Sequence, residues 1–170
     1  MKYFNGFSLK NEEHFFKEYI VDGELTVAGF SYGAQRAFEY VYASDKRVDR
    51  LILLSPAFFQ NQKASFIRTQ LRYFKADQEA YRQQFLKNVA YPSKIDLEEN
   101  VVSGSYEELE DLLSYVWDRD KIVELEKRGV TIEVFLGGED KIVDTQDSLA
   151  FFSDITTTYF FKELGHILHS

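Results

Sequence analysis

Cysteine is absent from all 170 residues. That excludes disulfides, thiolate nucleophiles and thiolate metal sites together. Nowhere do eighteen apolar residues run together, and the opening Met1-Lys2-Tyr3-Phe4-Asn5-Gly6 lacks the continuous apolar stretch of a secretion signal. The expectation is therefore a soluble cytoplasmic protein with no membrane partner. Positive charge is in deficit, with 20 Lys and Arg against 28 Asp and Glu, and the formal net charge of −8 argues against general nucleic-acid binding. Imidazole is scarce as well, since the only histidines are His14, His166 and His169. There are no internal repeats and no low-complexity linker. What is present is 45% hydrophobic and 16% aromatic residues, enough for one folded domain over residues 1–170 with a real core.

The chain is organised around Leu25-Thr26-Val27-Ala28-Gly29-Phe30-Ser31-Tyr32-Gly33-Ala34. Leu25, Val27 and Ala28 suit a buried strand, whereas Ala34, Ala37, Phe38 and Val41 follow the spacing of a helix face. Between them lies Gly-x-Ser-x-Gly, which predicts a sharp strand-to-helix turn with Ser31 at the corner. Such a corner strains the serine backbone so that its hydroxyl stands clear of the sheet, and the flanking glycines relieve crowding. It also brings the Tyr32 N–H to a helix N-terminus, where a developing oxyanion is stabilised.

Other segments alternate in the same manner. Strands are expected at Lys2 to Phe4, Arg50 to Leu54, Val130 to Leu136 and Thr156 to Phe161, with Asn11 capping a helix whose Phe15, Phe16, Tyr19 and Ile20 share one face. Continuous apolar runs such as Arg-Leu-Ile-Leu-Leu indicate a parallel sheet covered on both sides, joined by right-handed crossovers. The fold class is thus α/β with about five strands. A strandless stretch from about residue 60 to 128 reads as four helices. Ile67, Leu71 and Phe74 form one stripe and Tyr81, Phe85 and Val89 another. Ser105 and Glu108 make a capping box before Leu109, Leu112, Leu113 and Val116, and Lys127-Arg128-Gly129 closes the last helix. This stretch is expected to form a helical cap over the carboxyl edge of the sheet, where ligands bind in such architectures.

A serine needs a base, and the base an orienting acid. His166 follows the last strand in Glu-Leu-Gly-His, where Gly165 lets the loop turn back, so it leads His169 near the chain end and His14 on an early helix. For the acid, Gly137-Gly138-Glu139-Asp140-Lys141-Ile142-Val143 follows the fourth strand, which favours Asp140 with Glu139 and Asp144 as competitors. The scheme calls for no metal or cofactor.

Gly29-x-Ser31-x-Gly33, the Gly138 to Val143 turn and Gly165-His166 resemble the α/β-hydrolase superfamily, in its chain order of serine, acid and histidine. The resemblance strengthens Asp140 as the acid and implies a second oxyanion donor, the Phe7 N–H, in the Asn5-Gly6-Phe7 loop after the first strand. It also implies that the chain holds a contiguous five-strand block of a larger sheet, with a new edge at Lys2 to Phe4. Within the superfamily, the compact layout, the Tyr-Phe-Asn-Gly-Phe loop and Gly-Phe-Ser-Tyr-Gly look most like the short pimeloyl-acyl-carrier-protein methyl ester esterases of biotin synthesis, the BioV type. That implies hydrolysis of a methyl ester on a pimeloyl chain held by an acyl carrier protein.

Charge distribution bears on the partner. Residues 61 to 94 hold seven cations and two acids, a net of +5 in a chain whose total is −8. Arg68, Arg72 and Lys75 can share one helix face, a candidate docking surface for the acidic carrier that the resemblance implies. Two other readings stay open: a generic carboxylesterase or acyl thioesterase for small substrates, and a non-catalytic binding module that keeps the fold.

Overall fold

Five apolar stretches become five parallel strands, and the computed structural model describes all 170 residues. The strands are β1 (Lys2–Phe4), β2 (Thr26–Phe30), β3 (Arg50–Leu54), β4 (Thr131–Gly137) and β5 (Thr157–Phe161). They lie side by side in sequence order, so every connection crosses to the adjacent position. Register pairs Phe4 with Gly29, Phe30 with Leu54, Leu54 with Phe135, and Gly137 with Phe161. All five carboxyl ends therefore open into loops along a single edge. β1 pairs only with β2 and leaves its other side open as a sheet edge.

The helices are α1 (Tyr32–Ala43), α2 (Ala64–Ala76), α3 (Gln78–Ala90), α4 (Tyr106–Ser114), α5 (Arg119–Lys127) and α6 (Thr145–Ser153). One face of the sheet is covered by α1, α5 and α6, where Ala37, Phe38, Val41, Ile122, Leu125 and Phe152 join Leu51, Leu53 and Val134 in one core. The opposite face is covered by Phe16, Val89, Ile167 and Leu168, which bury Ala28, Phe30, Ile52 and Leu54. Every residue of β2 is buried, as a strand covered on both faces requires. No helix is long and apolar enough to cross a membrane.

Four helices, α2 to α5, fill the span between β3 and β4. Ser105 and Glu108 form a reciprocal capping box at the start of α4, and Gly129 adopts a left-handed backbone (φ 89°) after α5. α2 and α3 reach the carboxyl edge, where Phe74 and Phe85 contact the ring of Phe7. α4 reaches α1 through a hydrogen bond from Gln35 Nε2 to the Leu112 carbonyl.

Three local expectations are corrected. Asn11 caps no long helix: it sits at φ 53° without a side-chain cap bond, and a short 3-10 turn, Glu12–Phe16, replaces the helix. The Asn11 N–H instead donates to Asn5 Oδ1, and Glu12 turns inward to receive the Gly6 N–H, so the first turn serves the neighbouring loop. Val116 is 64% exposed, because α4 stops at Ser114 and the buried anchor is Trp117. Trp117 donates from its backbone N–H to Gln60 Oε1 and from Nε1 to the Ala57 carbonyl, geometry that a continued helix would forbid. Leu25 lies outside β2 and is 37% exposed, its carbonyl receiving the N–H groups of Asp49 and Arg50.

Candidate active site

Ser31 occupies the turn between β2 and α1 with φ 54° and ψ −114°, a conformation that costs a non-glycine residue free energy. The surrounding backbone holds it there. The Ser31 N–H donates to the Leu54 carbonyl at 2.9 Å, and the Ser31 carbonyl accepts from Ala34 and Ala57, both at 3.1 Å. The two glycines are required by close approach: a Cβ at Gly29 would lie 2.2 Å from the Gly33 carbonyl oxygen, and one at Gly33 would lie 2.0 Å from the Phe4 carbonyl oxygen. β1, β2 and α1 meet more tightly at this corner than any side chain allows.

The hydroxyl that this turn presents is bonded to imidazole. His166 Nε2 lies 2.9 Å from Ser31 Oγ, and His166 Nδ1 lies 2.5 Å from Asp140 Oδ2. Asp140 Oδ1 is oriented by the N–H groups of Ile142 at 2.6 Å and Val143 at 3.0 Å. Such a carboxylate fixes the tautomer with the proton on Nδ1 and leaves Nε2 free to accept the serine proton. Ser31 is 3% exposed and His166 fully buried, which keeps the electrostatics of this chain of groups strong.

The competing residues have other work. Asp144 caps α6 by accepting the Asp147 N–H, and Glu139 is exposed. His169 is hydrogen-bonded to the Phe15 carbonyl at 2.7 Å, and His14 to the Asn11 carbonyl at 2.7 Å, neither reaching Ser31. Tyr32 opens α1, so its N–H has no partner within the helix. The Tyr32 hydroxyl has a raised pKa, chiefly through burial, so it stays protonated near neutral pH. Phe7 is buried in the loop after β1, and its N–H has no acceptor within the protein. Arg68, Arg72 and Lys75 are exposed on α2. No cluster of three or more His, Cys, Asp or Glu side chains is placed to hold a metal ion.

A family model described as the alpha/beta hydrolase fold matches residues 7–165. The chain belongs to that family. No curated protein matches it at the level of sequence. Among solved structures, an esterase from Exiguobacterium antarcticum is 18% identical with a TM-score of 0.66, over 83% of this chain and 59% of that one. Carboxylesterase CesB from Bacillus subtilis is 15% identical with a TM-score of 0.58, over 84% and 53%. The α/β-hydrolase chain described here thus spans less than two thirds of the length of either. BioG from Haemophilus influenzae is 11% identical with a TM-score of 0.62, over 97% of this chain and 87% of that one. At such identities these are likenesses of fold, and they reach the hydrolase family rather than any finer group within it.

Sequence reasoning missed one buried group beside this site. Glu12 lies in Asn-Glu-Glu-His, a polar stretch that reads as exposed, yet its carboxyl is enclosed beneath the Asn5 to Ser8 loop. Only the alternation of inward Glu12 and Phe16 in a turn could have hinted at it, and that spacing is shared with any amphipathic helix.

Proposed function

We propose that the protein is a serine carboxylester hydrolase that works through an acyl-Ser31 intermediate. The observation that carries this reading is the hydrogen-bonded line from Ser31 Oγ through His166 to Asp140. As Oγ attacks the ester carbonyl carbon, its proton passes to His166 Nε2, and the carbonyl electron pair moves to oxygen. The Tyr32 and Phe7 N–H groups receive that oxyanion. Collapse expels the alcohol oxygen, which takes the proton from Nε2, and Asp140 stays ionised throughout. Water then gives a proton to Nε2 while its oxygen attacks the acyl carbon, and Ser31 leaves with that proton.

A fluorophosphonate is expected to label the protein stoichiometrically and Ser31→Ala not at all. Ser31→Ala and His166→Ala are each expected to lower kcat for a small ester by about 10⁴-fold or more while folding normally, and His169→Ala to keep most activity. An unlabelled wild-type protein would instead favour the binding module.

The finer reading is that the acyl group is the methyl ester of a pimeloyl chain tethered to an acyl carrier protein. Three features support it. The sequence resembles the short esterases of that type. A cavity of about 680 Å³ between α2, α3 and α4, floored by Phe66, Phe85, Leu109 and Ile142, has room for an acyl chain and touches the loop that carries Asp140. Thirdly, the cations of α2 and α3 are mostly unpaired. Of the seven cations between residues 61 and 94 only Arg82 meets a carboxylate, against five of the thirteen elsewhere, Arg47, Arg50, Arg119, Lys121 and Arg128. Arg68, Arg72 and Lys75 remain free to meet an acidic partner, and such contacts act mainly on association. Replacing Arg68 and Arg72 by Glu is expected to raise KM for the carrier-bound ester about tenfold, more at low salt, with free-ester hydrolysis unchanged. Equal effects on both substrates would leave the small-substrate carboxylesterase as the better reading.

A further inference from the structure

The turn at Ser31 is held by backbone hydrogen bonds, but the loop that bears Phe7 has a different support. Glu12 is fully buried, and its Oε1 accepts the Gly6 N–H at 2.7 Å and the Tyr3 hydroxyl at 3.2 Å. Its Oε2 meets no donor, and no cation pairs with it. Burying a carboxyl in this way is costly, as its pKa shows: desolvation outweighs the hydrogen bonds and pushes it up to about 7. Glu13, the next residue, is only half-buried and would hold an acid at less cost. What the buried group touches is the one amide that precedes Phe7.

The rest of the loop is held from other directions. The Ser8 carbonyl accepts from Val102 at 3.0 Å, Ser8 Oγ accepts from Gly104 at 3.2 Å, and the Lys10 N–H donates to Asn100 at 2.8 Å. These bonds clamp the loop after Phe7 against the segment that leads into α4. At Gly6 itself the carbonyl accepts the Leu9 N–H at 3.2 Å, and before Phe7 there remain the exposed bond from the Asn11 N–H to Asn5 Oδ1 and the bond from the Gly6 N–H to Glu12. The Gly6 N–H has no other acceptor, and the Phe7 N–H, one residue on, has none at all.

We propose that Glu12 is the positioning residue of the oxyanion hole, fixing the peptide at Gly6 so that the unpaired N–H of Phe7 stays available to an oxygen on the acyl carbon attacked by Ser31. The inference rests on the serine hydrolase reading above. Glu12 touches no reacting atom; it acts through the backbone of residues 6 and 7. An amide displaced by ~1 Å from its productive place costs about a hundredfold in rate, comparable to removing one oxyanion donor.

The test measures kcat and KM for a small p-nitrophenyl ester, with thermal unfolding alongside, on wild type, Glu12→Ala, Glu12→Gln, Glu12→Asp and Ser31→Ala. Glu12→Ala is expected to lower kcat about 10- to 100-fold with KM within about twofold. Glu12→Gln keeps an acceptor oxygen at the same reach and is expected to recover kcat to within about threefold of wild type. Glu12→Asp, shorter by one methylene, is expected to resemble Glu12→Ala in kcat and serves if the alanine variant fails to fold. A wild-type kcat in folded Glu12→Ala or Glu12→Asp, with Ser31→Ala inactive, overturns the positioning role and leaves the serine reading intact. A Glu12→Gln protein that folds normally but is as slow as Glu12→Asp overturns it too. Full activity in Ser31→Ala would overturn the serine reading and this inference with it.

Discussion

The turn that bears Ser31 and the loop that bears Phe7 stand on adjacent strands, yet they are built by different means. The Ser31 turn is held by main-chain hydrogen bonds to Leu54, Ala34 and Ala57 and by the absence of Cβ atoms at Gly29 and Gly33. The Asn5 to Ser8 loop has one internal main-chain bond, from the Leu9 N–H to the Gly6 carbonyl, and otherwise depends on a buried carboxyl from Glu12 and on a strap from residues 100 to 104 that comes out of the helical insertion. A backbone-held turn tolerates no change of shape, whereas a loop held by side chains and by a distant segment can shift by degrees. The first is signalled by ten consecutive residues and completed by contacts to Phe4, Leu54 and Ala57. The second exists only once the insertion has folded onto it.

Gly33→Ala should test the rigid side of this contrast with the largest effect. Its Cβ would meet the backbone of Phe4 and Asn5, which cannot move without parting β1 from β2. Loss of about 4 kcal/mol or more of stability, or outright failure to fold, is expected in denaturant titration. A soluble variant with a wild-type unfolding midpoint would show that the corner is looser than described.

On the adaptable side, Glu12 should leave a signature in the pH dependence of stability. Its folded pKa of about 7 lies above the ordinary 4.5, chiefly through desolvation, so the folded state binds the extra proton between those values. The corresponding stability is present below pH ~4.5 and lost as pH rises through ~7, by about 3 kcal/mol in all. The titratable groups facing it are Tyr3 on β1, with a pKa raised well above its usual value, and Glu13 on the same turn. Urea unfolding at pH 5 and pH 8 should show this loss in wild type and not in Glu12→Gln. Equal slopes in both proteins would mean that the carboxyl is hydrated.

Gly104→Ala should give the smallest effect, about 1–3 kcal/mol, as an overpacked contact. Its Cβ would lie 2.5 Å from the Phe7 ring and 2.5 Å from Ser8 Oγ, both ends of side chains rather than backbone. The strap can therefore retreat, and a fall in kcat larger than the fall in stability suggests is expected in steady-state assays. An unchanged kcat would separate the strap from the working part of the loop.

Much of the architecture was legible because its signals are local. The apolar run of Arg50 to Leu54 indicated a covered parallel strand, and Leu51 to Leu54 are fully buried. The capping box at Ser105 and the glycine stop at Gly129 depend on neighbours within a few residues, and both form. Asn11 and Val116 misled for one shared reason. Asn11 opens and Val116 continues a helical pattern that a tertiary contact interrupts: Glu12 turns in to meet Gly6, and Trp117 turns in to meet Ala57 and Gln60. The three candidate groups of the site lie 109 and 26 residues apart along the chain, at Ser31, Asp140 and His166, and strand order together with the family resemblance suggested their meeting.

By itself the sequence determined the strand-turn-helix at Ser31, the parallel β-α repeat and the residue types that chemistry could use, because backbone sterics and hydrophobic periodicity act over a few residues at a time. Tertiary structure alone decided which imidazole reaches the serine and which carboxylate reaches the imidazole, since those depend on loops leaving different strands at one edge. It also decided that Glu12 is buried beneath the loop of Phe7 rather than left at the surface. Burial of a charge is a property of everything packed around it, and no stretch of chain carries that information alone.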